Sequence, residues 1–216
     1  MRGKQKPRLV FWLILFLWLP ALPAFAAEML TTVKWVADGD TIILKDGRHV
    51  RYIGIDAPEI DHQKPRKTPM GTRARSVNQQ LVGPFSLKLV YDKETKDHYG
   101  RTLAYVYRND GLFVNLEMVK TGNAWCLYLS PNLSHTEAFL DAQREAMNQG
   151  LGIWQTIGRD QKASVPCTGN SRSRRFHSPA CPDGKKISKK NQVVFTRQWD
   201  AFWEGFSPHR KCVAFP

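Results

Sequence analysis

No apolar run in this 216-residue chain reaches the roughly 18 residues that a membrane-spanning helix needs. The longest, residues 9–19, stops at Pro20, which argues against a permanent anchor. It follows a basic head of Arg2, Lys4, Lys6 and Arg8 and precedes Ala24-Phe25-Ala26, an Ala-x-Ala cleavage site. That order predicts a secretory signal over residues 1–26, cleaved after Ala26. The protein is then exported, periplasmic or extracellular, with no stable membrane insertion; an uncleaved anchor is the alternative. Cysteine is sparse, with only Cys126, Cys167, Cys181 and Cys212. In an oxidising compartment these can pair, and the sequence does not choose among the connectivities.

Acidic residues are scarce as well, 19 against 32 Lys and Arg, for a net charge of +13. The deficit is uneven. Residues 27–158 carry 16 basic and 15 acidic side chains, whereas residues 167–216 carry 10 and 3. Losing the signal leaves +9, most of it in the tail. A basic tail suits a polyanion such as nucleic acid, through contacts that weaken as salt rises, or is simply a solvated charged surface. A chain of this length supports one good core plus an appendage.

Neither histidine nor cysteine belongs to the acidic set, Asp40, Asp56 and Glu59, of residues 38–59, DGDTIILKDGRHVRYIGIDAPE. Asp-Gly-Asp leads into the β-branched run 41–44, and Asp46-Gly47 is a strong hairpin signal. The return strand, 49–55, ends in Asp56-Ala57-Pro58-Glu59. One hairpin thus gathers Asp40, Asp56, Glu59 and the guanidinium of Arg51. Carboxylates that close repel unless a cation or a proton lies between them. An all-oxygen set points to a hard cation such as Ca²⁺ or Mg²⁺. Asp38 and Asp46 read as turn caps. Strict alternation would put Arg51 and Asp56 on opposite faces, so either a bulge at Gly54 or a strand end before Asp56 is required.

A second cationic stretch follows at Asp97-His98-Tyr99-Gly100-Arg101. Arg51 and Arg101 together can grip the nonbridging oxygens of a phosphate by bidentate hydrogen bonds. Hydrolysis of a phosphodiester loads those oxygens with negative charge as water attacks, so preorganised cations lower the barrier. A metal on Asp40 and Asp56 would clamp the same group, and Glu59 would orient or deprotonate the water.

The strings DGDT, RYIGIDAPE and DHYGRTLAYVY, in this order within roughly residues 30–157, resemble the staphylococcal nuclease (thermonuclease) family. The resemblance implies a five-stranded oligonucleotide/oligosaccharide-binding (OB-fold) β-barrel with three helices. It implies calcium-dependent hydrolysis of DNA and RNA with little sugar specificity, giving 3′-phosphate products. Catalysis would fall to Arg51, Glu59 and Arg101, and calcium to Asp40, Asp56 and the main-chain carbonyl of Ala57. Tyr99 would lie near the substrate phosphate, and Tyr128 is the candidate for base stacking. A nucleic-acid-binding module outside the cytoplasm, without catalysis, is the alternative from another class. Intact metal carboxylates argue for the enzyme, because pure binding needs none. A monomer is expected.

Residues 31–37, 85–91 and 103–107 read as strands, and 71–82 and 114–121 as helices. A capping box at Ser134 opens a further helix that ends at Gly150. Strands followed by helices indicate an α+β domain over 27–158. Residues 159–166 read as a linker. In the tail, 167–216, His177-x3-Cys181 and His209-x2-Cys212 have metal-site spacing, and two His with two Cys suit tetrahedral Zn²⁺. A Cys181–Cys212 disulfide competes with that reading, and so small a module needs one staple or the other. The segment resembles the metal-binding module of the bacterial alkylation-repair protein Ada, which uses four cysteines at similar spacing. Phe195, Trp199, Phe202, Trp203 and Phe206 are expected to form the tail's core.

Overall fold

The computed structural model describes residues 30–61, 63, 68–158 and 165–213. The expected signal over 1–26 and most of the expected linker lie outside the described residues. Strands β1 (Leu30–Val36), β2 (Thr41–Leu44) and β3 (His49–Tyr52) form an antiparallel meander. Its tight turn is set by Asp46-Gly47: Gly47 N donates to Leu44 O at 3.0 Å, and the Asp46 carboxylate accepts from Arg48 N at 3.0 Å. Past β3 the chain turns at Gly54 into the short β4 (Ile55–Asp56). Helix α1 (Pro69–Val82) begins earlier than its apolar periodicity, because Pro69 arrives with helical φ already fixed and no donor to lose.

Strands β5 (Ser86–Val90) and β6 (Thr102–Arg108) then complete a closed barrel in the order β1-β2-β3-β6-β5. Closure comes from β6 running parallel to β3, with Arg51 paired to Leu103. Val36, Ile42, Leu44, Val50, Leu87 and Val106 fill the interior and are fully buried. This is the expected five-stranded OB-fold barrel.

Helix α2 (Val114–Lys120) leads to β7 (Trp125–Cys126), which pairs with β4 outside the barrel. Helix α3 (Thr136–Gln149) ends at Gly150, whose φ of 63° makes the expected left-handed stop. Its capping box does not form. His135 occupies the N-cap without a side-chain bond, and the Ser134 amide is drawn to the Asp92 carboxylate at 3.2 Å. A short fourth helix, α4 (Ile153–Ile157), adds to the three expected, and it buries Ile153, Trp154 and Ile157.

Beyond it come β8 (Cys167–Asn170), β9 (Arg175–His177), α5 (Pro182–Lys185), β10 (Gln192–Phe195), α6 (Gln198–Trp203) and β11 (Ser207–Pro208). The four strands form one sheet ordered β10-β8-β9-β11. Of the aromatic residues expected in the tail's core, Phe195, Trp199, Phe202 and Phe206 are buried and Trp203 is half-buried, but the core they build is shared. Phe176, Phe195, Trp199, Phe202 and Phe206 cluster with Trp125, Ala146, Ile153 and Trp154 of the preceding domain. Gln143 Nε2 donates to Phe202 O at 2.6 Å and Arg144 Nε to Trp203 O at 3.0 Å. The tail is therefore docked through α3 and α4. Among the described residues no helix is long and apolar enough to cross a membrane.

Candidate active site

Arg51 stands on β3, and the chain wraps around its guanidinium. Nη1 donates to the carbonyls of Tyr52 at 2.7 Å and Ile55 at 2.8 Å, and Nη2 to Asp56 Oδ1 at 2.7 Å. Nε lies 3.1 Å from Asp40 Oδ1. The wrap depends on the turn at Gly54, whose φ is +78° and where a Cβ would lie 2.3 Å from the Phe139 ring. It also settles how Arg51 and Asp56 meet: β3 ends at Tyr52, so Asp56 escapes the strand's alternation.

Asp40 is aimed by the turn before it, in which the Asp38 carboxylate accepts from Asp40 N at 2.9 Å. Asp40 Oδ2 then accepts from Ala57 N at 2.7 Å, and Oδ1 from the Thr41 hydroxyl at 3.0 Å. Asp40, Arg51 and Asp56 are all buried. Burial pushes the Asp40 carboxyl up, and the Arg51 charge only partly offsets it. For Arg51 burial opposes the charge, but Asp40, Asp56 and Asp38 outweigh it and hold the guanidinium protonated.

The second arginine is held by Asp97. Its Oδ1 accepts from the amides of Tyr99 at 3.0 Å and Arg101 at 2.9 Å, and its Oδ2 from Arg101 Nε at 2.7 Å. Burial pushes the Asp97 carboxyl up, but the bonds and charge of Arg101 outweigh it and hold it below the usual carboxylate range. Among the described residues nothing hydrogen-bonds the Arg101 Nη groups, so the outer fork can meet a phosphate. Tyr99 is 74% exposed beside it, with the Arg101 guanidinium 5.5 Å from its ring centre.

A cleft of about 690 Å³ brings together Asp40, Arg51, Asp56, Glu59, Tyr99 and Arg101. Tyr128 is not on its wall; it lines a separate depression with Leu133 and His135. Two residues on the wall come from the tail, Arg175 and Arg210. Arg175 Nη1 is tied to Ser207 Oγ at 3.1 Å, and burial lowers its basicity. Arg210 reaches further: Nη2 lies 2.5 Å from Asp56 Oδ1 and 3.0 Å from Ala57 O, and Nε 3.2 Å from Asp56 Oδ2. Its Nη1 is ion-paired with Glu59. No local pattern in the sequence could have placed Arg210 there.

Asp40, Asp56 and the Ala57 carbonyl offer oxygen donors only, and a cationic group already rests on two of the three. The donor set therefore fits a hard divalent cation. A second set lies in the tail. Ligand atoms of His177, Cys181, His209 and Cys212 all fall within 4.8 Å of one another. The His177 Nδ1–Cys181 Sγ distance is 3.4 Å, His209 Nδ1–Cys212 Sγ 3.5 Å and His177 Nδ1–Cys212 Sγ 3.8 Å. Tetrahedral zinc with ordinary Zn–S and Zn–N bonds sets nitrogen and sulfur about 3.6 Å apart. These residues fit zinc. The four cysteines are free thiols.

A family model described as "Staphylococcal nuclease homologue" matches residues 49–156. The thermonuclease of Staphylococcus intermedius is 40% identical over 126 residues, covering 57% of this chain and 74% of that protein. The thermonuclease of Staphylococcus hyicus is 37% identical over 132 residues, covering 60% and 78%. Endonuclease YncB of Bacillus subtilis is 36% identical over 132 residues, covering 59% and 62%. With the family model covering β3 through α4 and both arginine-bearing segments, and 74% of a thermonuclease matched at 40% identity, the chain belongs to the staphylococcal nuclease family.

Proposed function

We propose that this protein is an exported nuclease that hydrolyses phosphodiester bonds of DNA and RNA in a calcium-dependent reaction, with little sugar specificity and 3′-phosphate products. One observation carries the reading: a single cleft joins the oxygen donors Asp40 and Asp56, the carboxylate of Glu59 and the guanidiniums of Arg51 and Arg101. A module that only bound nucleic acid would need basic and aromatic groups, but not buried Asp40 and Asp56.

Asp40, Asp56 and Ala57 O would hold the calcium ion. When bound, calcium supplies Lewis-acid polarisation of the phosphate. Arg51, locked by two carbonyls and two carboxylates, presents a charge that needs no reorganisation as the phosphate gains negative charge. Arg101 offers its outer fork to the same group, and Tyr99 flanks it. Glu59 takes the proton of the attacking water, once its carboxylate is free of Arg210. The tail's four ligands would hold a structural zinc ion. The test is full-length protein with plasmid DNA and RNA, in Ca²⁺, Mg²⁺ or chelator. Cleavage of both substrates in Ca²⁺ and none in chelator is expected; retention without cleavage in every condition would leave the binding module.

A further inference from the structure

We propose that Arg210 is a built-in competitor for the divalent-cation site, held there by the metal-binding knot of the tail. This rests on the metal-dependent reading above. The guanidinium engages both oxygens of Asp56, the carbonyl of Ala57 and the carboxylate of Glu59. A divalent ion would need the first two of these groups, and water activation would need the third. Arg210 and the working site are therefore mutually exclusive. Its side chain is 38% exposed whereas that of Asp56 is 5% exposed. The arginine thus enters from the cleft's mouth, where solvent screens the pair and the side chain can swing out. The contact is a reversible plug.

What fixes the plug is its place in the chain. Arg210 directly follows His209 and precedes Cys212 by two residues, and both flanking residues belong to the tail's ligand set. The turn is pinned: His209 N donates to Phe176 O at 2.8 Å, and the amides of Cys212 and Val213 both donate to His209 O at 3.0 Å. An ion on His209 and Cys212 would lock that turn and aim Arg210 into the nuclease cleft. Filling the tail site then weakens divalent binding at Asp40 and Asp56, and by linkage the reverse holds too. If the plugged form is populated ten to one, apparent calcium affinity falls about tenfold.

Calorimetric titration of CaCl₂ into full-length protein carrying one equivalent of zinc tests this without any cleavage readout. Arg210→Gln, a partly exposed position, should bind Ca²⁺ about tenfold more tightly than wild type. Stripping the tail ion from wild type should recover part of that gain. Equal or weaker binding by Arg210→Gln overturns the plug, and no gain on stripping overturns its control by the tail. Parallel cleavage in excess chelator separates the failures. Undiminished cleavage there removes the metal-dependent reading as well, whereas chelator-sensitive cleavage leaves that reading standing and only the plug fallen.

Discussion

Phe202 sits fully buried where the tail meets the barrel domain, and truncating it should weaken both together. Its ring lies 5.1 Å from Trp154, 5.1 Å from Phe176 and 5.9 Å from Trp125. Phe→Ala in a closed core costs about 3–5 kcal/mol. Edge-on aromatic pairs add about 0.5–1.5 kcal/mol each. With two edge-on neighbours, Trp154 and Phe176, and a tilted third, Trp125, the cost belongs at the upper end, about 4–5 kcal/mol. For a folded unit of this size, 1 kcal/mol shifts Tm by about 2–4 °C, so a fall of about 8–20 °C is expected. The assay is thermal unfolding followed by tryptophan fluorescence and by far-ultraviolet circular dichroism. Trp125, Trp154 and Trp199 surround or adjoin the site, so fluorescence reports on both sides of the junction. The two probes should coincide and shift together. An early tail transition followed by an unmoved barrel transition would refute the shared core.

Glu59→Gln keeps the shape of the side chain but not its basicity, and should lower turnover by on the order of 10²–10⁴ with folding intact. Arg101→Lys keeps the charge but loses the planar fork, and should also fail in steady-state assays; near-normal turnover in both variants would favour binding over catalysis. Burial pushes the Cys126 and Cys167 thiols up to about 12, so neither should alkylate in native protein at pH 8. Mass spectrometry should find modification of Cys181 and Cys212 only after zinc is stripped, and their joining in a disulfide would contradict the zinc site. Because the folded Asp97 carboxyl lies below its unfolded value of about 3.9, its contribution is complete above that pH and is lost as pH falls through the folded value. The Arg101 Nε–H resonance should therefore stay fixed down to about pH 4 and move below it; movement at pH 5–6 would show that Asp97 does not hold the loop.

The cleft was legible because its parts are local. Asp40, Arg51, Asp56 and Glu59 fall within one hairpin and the turn after it, and Arg101 lies on a loop whose string is distinctive. Gly54 was visible as a candidate irregularity, yet only the structure shows that the strand ends before Asp56. Ser134 misled because a capping pattern competes with tertiary partners, here Asp92, which no local rule sees. Arg210 was the largest omission. It meets Asp56 across 154 positions of sequence, and one basic residue in a basic tail carries no signal of its own. The docking of the tail was hidden for the same reason. Trp199 and Phe202 read as core of the tail alone, and nothing local joins them to Trp125 and Trp154 of the preceding domain.

On the function proposed above, phosphodiester cleavage depends on a cation held by the buried carboxylates Asp40 and Asp56. Asp40→Asn tests it most directly. The amide oxygen can still accept from Ala57 N, so the turn keeps its shape while the site loses a charge. Cleavage of an end-labelled oligonucleotide is measured against free Ca²⁺ for both proteins, with far-ultraviolet spectra recorded alongside. Wild type should be silent in chelator and saturate with Ca²⁺, and Asp40→Asn, with an unchanged spectrum, should cleave at least about a hundredfold more slowly. Cleavage by the variant at the wild-type rate, or by wild type in excess chelator, would contradict it.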